Sequence, residues 1–77
     1  MEGTIGEVRY FAGNFAPKNW AFCQGQMISI ASNTSLYSVI GARFGGDGRS
    51  VIALPKIEDL NGCKVIICTN GTMPDRS

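Results

Sequence analysis

Apolar and polar positions change period several times along this chain, and each change marks an expected element. Ile5-Gly6-Glu7-Val8-Arg9-Tyr10-Phe11 alternates before turning aromatic. The period of two predicts a first strand with Ile5, Arg9 and Phe11 on one face and Val8 and Tyr10 on the other, both faces partly covered. Ala12-Gly13-Asn14 breaks the pattern, and Pro17 fixes a turn in the loop over residues 14–19. Trp20-Ala21-Phe22-Cys23 then sets two large rings on one face and two small side chains on the other. Gly25 pivots the chain toward Met27-Ile28-Ser29-Ile30, as a hairpin or a bend.

Residues 32–41 carry the only helical pattern. Ser32 or Asn33 can cap its start, Leu36, Val39 and Ile40 form the i, i+3, i+4 stripe with Tyr37 beside it, and Gly41 stands where a left-handed C-terminal residue belongs. Two turns of helix are not stable alone, so the stripe must pack on strands.

The rest is arranged around residues 42–55. Gly45, Gly46 and Gly48 bracket Asp47, whose carboxylate can close an Asx-turn on its own backbone. These four residues predict a tight structural turn, with Phe44 as an apolar anchor before it. A strand over residues 51–54 follows and stops at Pro55. Residues 56–62 read as a polar connector. Cys63-Lys64-Val65-Ile66-Ile67-Cys68 becomes continuously apolar, which suits a strand buried on both faces at the centre of the sheet. Asn70-Gly71 is a turn, followed by a polar tail. The expected fold is α+β, a small, mostly antiparallel β-sheet with one short helix, forming a single domain over residues 1–77.

Seventy-seven residues change the picture in one respect. A core of that size rarely supplies more than about 3 to 5 kcal/mol, so a disulfide, a metal or oligomerisation is expected to assist it. Cys23, Cys63 and Cys68 are odd in number and show neither a CxxC nor a CxxH spacing, and the chain has no histidine. A zinc site would need every thiol plus a carboxylate, and Cys63 and Cys68 lie too close in one strand-like run to pair easily. The cysteines therefore read as small buried hydrophobes of a reducing compartment, and oligomerisation remains as the assistant.

Net charge is +1, with the basic residues scattered singly, so nucleic acid is not an expected partner. The start, Met1-Glu2-Gly3-Thr4, lacks the features of an export signal, and no apolar run approaches membrane-spanning length. Synthesis in the cytoplasm without a signal peptide, and no membrane insertion, are the expectations. Asn33-Thr34-Ser35 and Asn70-Gly71-Thr72 match the glycosylation pattern only incidentally.

Candidate chemistry is sparse. The glycine loop follows the helix and opens a strand, the reverse of the order that places a phosphate on a helix N-terminus. Without histidine, Ser-His-Asp and Cys-His arrangements are impossible, and Glu58-Asp59 reads as a solvated connector. No catalytic, cofactor-binding or metal-binding residue is expected. The aromatic residues, Tyr10, Phe11, Phe15, Trp20, Phe22, Tyr37 and Phe44, form a core or, in so small a domain, anchors of a subunit interface.

At this point the motifs support a resemblance. Ile5-Gly6-Glu7-Val8-Arg9 with Phe11-Ala12-Gly13-Asn14-Phe15-Ala16-Pro17, then Trp20-Ala21-Phe22-Cys23 with Gly25-Gln26, then Leu36-Tyr37-Ser38-Val39-Ile40-Gly41, then Phe44-Gly45-Gly46-Asp47-Gly48-Arg49 with Ala53-Leu54-Pro55 resemble the phage tail collar family over residues 5–55. The resemblance implies a non-enzymatic structural module of a phage tail or of a phage-tail-like, contractile injection-type particle. It implies association as a homotrimer, other tail or particle proteins as partners, and assembly into a virion or a related, extracellular particle. The chain departs from longer relatives after Pro55 and resembles short members that end in an apolar strand and a Gly-x-x-Pro-x-Arg tail, here Gly71 to Arg76. The receptor recognition and metal site of longer fibre tips are therefore not carried over. The alternative is a carbohydrate- or cell-surface-binding adhesin module with a cell-surface glycan as partner. Candidate interface or surface-binding residues are Trp20, Tyr37, Arg43, Phe44 and Arg49.

Overall fold

The last strand organises the molecule. In the computed structural model, which describes residues 1–75, the chain order is β1 (Val8–Phe11), β2 (Trp20–Phe22), β3 (Met27–Ser29), α1 (Thr34–Ile40), β4 (Val51–Ala53) and β5 (Lys64–Cys68). β5 lies between β1 and β2 and pairs antiparallel with both; β3 and β4 form a second antiparallel pair. The fold is α+β, as the sequence predicts, with two small sheets in place of one.

Residues 65–68 are buried because both faces of β5 are covered. Val65 and Ile67 face a cluster containing Ile5, Cys23, Leu36 and Leu54, against which Ala21, Ile28, Val39 and Ile40 pack. Ile66 and Cys68 face Trp20, with Phe11 and Phe22 packed around them. A continuously apolar run is therefore what a strand between two hydrophobic layers requires.

The first strand corrects the simple alternation. Gly6 at φ 88° donates its N–H to the Cys68 carbonyl, while the Cys68 N–H bonds the Glu7 carbonyl; both distances are 2.9 Å. Two residues thus oppose one in a glycine bulge, closed behind by Glu7 N–H to the Thr4 carbonyl. The inserted residue breaks the period of two. Ile5 enters the larger cluster, whereas Phe11 joins Trp20 on the opposite face. Val8 and Tyr10 stand opposite Ile67 and Val65 but are exposed, because β1 is an edge strand.

Of the two readings at Gly25, the bend is observed and the hairpin is not. The Cys23 N–H bonds the Val65 carbonyl and keeps β2 on β5, while the Leu54 N–H bonds the Gln26 carbonyl and starts the other ladder. Gln26 braces the bend, its Oε1 accepting from the Gln24 N–H and its Nε2 donating to the Phe22 carbonyl. The sharpest hairpin turn lies elsewhere, in the stretch expected to be a plain connector. Leu60 and Cys63 exchange both backbone hydrogen bonds across Asn61 and Gly62, which have φ of 53° and 80°, the two positive values of a type I′ turn.

Helix α1 buries Leu36 completely. Asn33 occupies the N-cap position without capping, since its Nδ2 donates back to the Ser29 carbonyl. Gly41 has the positive φ of 60° expected after a helix, but its ψ of −154° lies outside the left-handed helical basin. The tail is anchored by pairing with the N-terminus, Ile5 N–H to the Thr72 carbonyl and Thr72 N–H to the Gly3 carbonyl. Arg76, the last position of the tail motif, lies outside the described residues. Cys23, Cys63 and Cys68 are free thiols; Cys23 and Cys68 are buried, and burial pushes the Cys23 thiol up.

Candidate interaction site

The glycine loop is fixed from inside by one carboxylate. Asp47 Oδ1 accepts the backbone N–H of Arg49 at 2.8 Å, of Ser50 at 2.9 Å and of Val51 at 3.2 Å, and Oδ2 accepts the Ser50 hydroxyl at 3.1 Å. The backbone N–H of Arg49, followed by those of Ser50 and Val51, holds this carboxyl far below the usual carboxylate range. The expected Asx-type closure is thus present, with more donors than one turn requires.

From outside, the loop is tied to its neighbours. Gly46 bridges Ile52 on the edge of β4 away from β3, the Ala53 N–H bonds the Gly45 carbonyl, and the Gly48 N–H bonds the Val51 carbonyl. A Cβ on Gly46 would stand 2.5 Å from Ile52 Cα and 2.5 Å from the Val51 carbonyl oxygen, so glycine is needed for approach as well as for its φ of 94°. The Tyr37 hydroxyl donates to the Gly48 carbonyl at 3.2 Å and connects the helix to the loop. Tyr37 is half-buried and serves the loop's shape.

The side chains this loop displays are Arg43, Phe44 and Arg49. All three are exposed, and neither arginine forms an ion pair with a described residue. Phe44, expected as an apolar anchor before the turn and as a candidate interface residue, stands on the surface. It is 45% exposed, because the run from Gly45 to Gly48 takes the backbone, and not the ring, into the sheet.

Trp20 lies apart from this group, in the three-stranded sheet, and is not an exposed contact. It is 6% exposed, with Nε1 donating to the Met1 carbonyl at 3.0 Å and the Arg9 guanidinium 5.2 Å from its ring centroid. Arg9 Nε in turn donates to Glu7 Oε2 at 2.6 Å, and Glu7 Oε1 accepts the Thr4 N–H. The Arg9 hydrogen bond, with that of Thr4, pulls the Glu7 carboxyl below its ordinary value.

Further exposed apolar side chains escaped the sequence reading: Val8, Met27, Ile57 and Leu60. Phe15 meets Phe11 edge to face at 6.1 Å yet is 64% exposed. Only the edge position of β1 would have signalled Val8. The two edges of the three-stranded sheet also differ. β2 is closed by the Pro17 carbonyl on the Trp20 N–H and by Gln26 on the Phe22 carbonyl, whereas no hydrogen bond from a described residue beyond the ladder reaches the β1 backbone.

A cleft of about 320 Å³ opens between residues 23–24 and 56–59, lined by Cys23, Gln24, Lys56, Ile57, Glu58 and Asp59. Among the described residues there is no cluster of histidine, cysteine, aspartate and glutamate suited to a metal ion, and no helix is long and apolar enough to cross a membrane. Tied backbone, two arginines and an exposed ring make a surface suited to docking.

A family model described as the phage tail collar domain matches residues 6–61. The match takes in β1 to β4, the helix and the whole glycine loop, and ends at Asn61, ahead of β5. No curated protein matches the chain.

Proposed function

The chain belongs to the phage tail collar domain family, and from that premise we propose that it is a non-enzymatic assembly module whose copies associate as trimers. A collar domain is a structural module of the phage tail fibre, built into the virion and associated with itself or with other tail proteins. The finer reading is a single domain over residues 1–77 serving a phage tail or a contractile injection-type particle. The family match over most of the chain is the observation that carries it. The exposed apolar side chains of so small a domain support self-association, since burial between copies would supply what a short core lacks. Native mass spectrometry at low micromolar concentration is the test: trimers are expected, and a stably folded monomer would overturn the assembly reading.

The second reading, a module binding a carbohydrate or a cell surface, is favoured by Arg43 and Arg49, exposed beside Phe44 and without an ion pair among the described residues. With Trp20 buried, that reading rests on the loop alone. Saturable binding on a glycan array, lost in Phe44→Ala with the fold retained, is its test.

A further inference from the structure

We propose that copies of this chain meet head to tail, the loop bearing Arg43, Phe44 and Arg49 of one copy docking on the cleft beside Glu58 and Asp59 of the next. This contact rests on the self-association proposed above and names its surfaces. The loop carries two arginines and an exposed ring, and its one carboxylate, Asp47, is spent on its own backbone. Held by Asp47 and Tyr37, the loop backbone loses little freedom on docking.

The cleft is complementary. Glu58 has no ion-pair partner among the described residues, and Asp59 makes only an exposed contact, 3.6 Å, with Lys64. Ile57 lines the cleft, Leu60 follows it in the chain, and both are exposed. Lys56 is the opposing charge there; its stem lies along Gly25, 3.3 to 3.8 Å from where a Cβ of that glycine would be. An exposed aromatic ring on a loop with two arginines, facing a cleft that offers two carboxylates and apolar side chains, is the composition of an interface anchor and its socket.

The two surfaces do not satisfy each other within one copy. Neither Arg43 nor Arg49 forms an ion pair with Glu58 or Asp59, and Arg49 and Glu58 stand beyond opposite ends of the extended residues 51–55, which at about 3.3 Å per step span about 13 Å. Nor can the loop dock on its own counterpart, since arginines would then face arginines. A contact between two different patches is heterologous and closes into a ring when the rotation allows, with three copies the case proposed here.

The test uses the full chain and its assembly state by native mass spectrometry and sedimentation. Arg43→Glu with Arg49→Glu should raise the dissociation constant of the assembly more than tenfold, and Glu58→Arg with Asp59→Arg should do the same, circular dichroism remaining unchanged. Combining all four changes in one chain reverses both surfaces together and should restore assembly. If wild type assembles and either pair of substitutions leaves it equally assembled, or the combined chain stays dissociated, the head-to-tail contact is overturned while the trimer reading stands. A monomeric wild type overturns both.

Discussion

Asp47 Oδ1 lies 2.8 Å from the backbone nitrogen of Arg49, and the same oxygen receives the N–H groups of Ser50 and Val51. One atom thus fixes the turn from which β4 starts and sets the angle at which Arg49 leaves the surface.

Acid should loosen this loop. Hydrogen bonds depress the Asp47 pKa in the folded state, so the carboxylate's contribution to stability is present in full above the unfolded value of about 3.9 and is lost as pH falls below it toward the lower folded value. Glu7 is shifted in the same direction and adds to the same limb. Asp47→Asn should lower the thermal midpoint at pH 7 and flatten its decline between about pH 5 and pH 2, relative to wild type. Thermal unfolding followed across that range checks both; an unchanged acid limb would mean that Asp47 does not couple the loop to folding.

Gly46 and Gly41 make a controlled pair. Both have positive φ, but a Cβ at Gly46 would meet backbone atoms of Val51 and Ile52, whereas nothing lies within 4 Å of one at Gly41. Gly41→Ala should therefore cost about 1 to 3 kcal/mol, the conformational penalty alone, since φ 60° with ψ −154° is a region open essentially to glycine. Gly46→Ala should cost roughly 3 kcal/mol or more, because strain adds to a displaced strand edge. Urea denaturation of the two variants would separate the terms, and equal losses would refute the close approach.

Much of this architecture was legible because it is locally encoded. The apolar run over residues 65–68, the Leu36 stripe, the large-small alternation from Trp20 to Cys23 and the Asp47 turn all follow from nearest-neighbour periodicity and side-chain chemistry. The features missed depend on distant partners. Nothing local to Gly6 announces a bulge; it is defined by Cys68, which lies at the other end of the chain. Whether Gly25 makes a hairpin depends on β5 and β4 offering better ladders to β2 and β3 than these offer each other. The candidate site was half legible for the same reason. Arg43, Phe44 and Arg49 are exposed, as a surface role requires, Phe44 through the pairing of Gly46 with Ile52, but the covering of Trp20 comes from the distant Met1 and Arg9.

Trp20 is accordingly a stability residue. Trp20→Ala should cost about 3 to 5 kcal/mol by emptying the smaller cluster. Trp20→Phe keeps most of the packing and removes the hydrogen bond to the Met1 carbonyl, a loss of roughly 1 kcal/mol. Guanidinium denaturation monitored by circular dichroism, which does not depend on the lost indole, gives both values. A Trp20→Ala variant of wild-type stability would show that the indole does not hold the sheet's second face.

Removing β5 should be worse than any point change. Among the described residues both β1 and β2 pair only with β5, so a chain ending at Leu60 leaves their inner N–H and C=O groups without partners and strips Val65 and Ile67 from the larger cluster and Ile66 and Cys68 from the smaller. The family match ends at Asn61, so this truncated chain would retain nearly all of the matched region while losing the strand that joins its two layers. It should be unfolded, with narrow amide proton dispersion and no cooperative thermal transition. A soluble, cooperatively melting fragment of residues 1–60 would refute the central role of β5 and place the folding unit within the matched region itself.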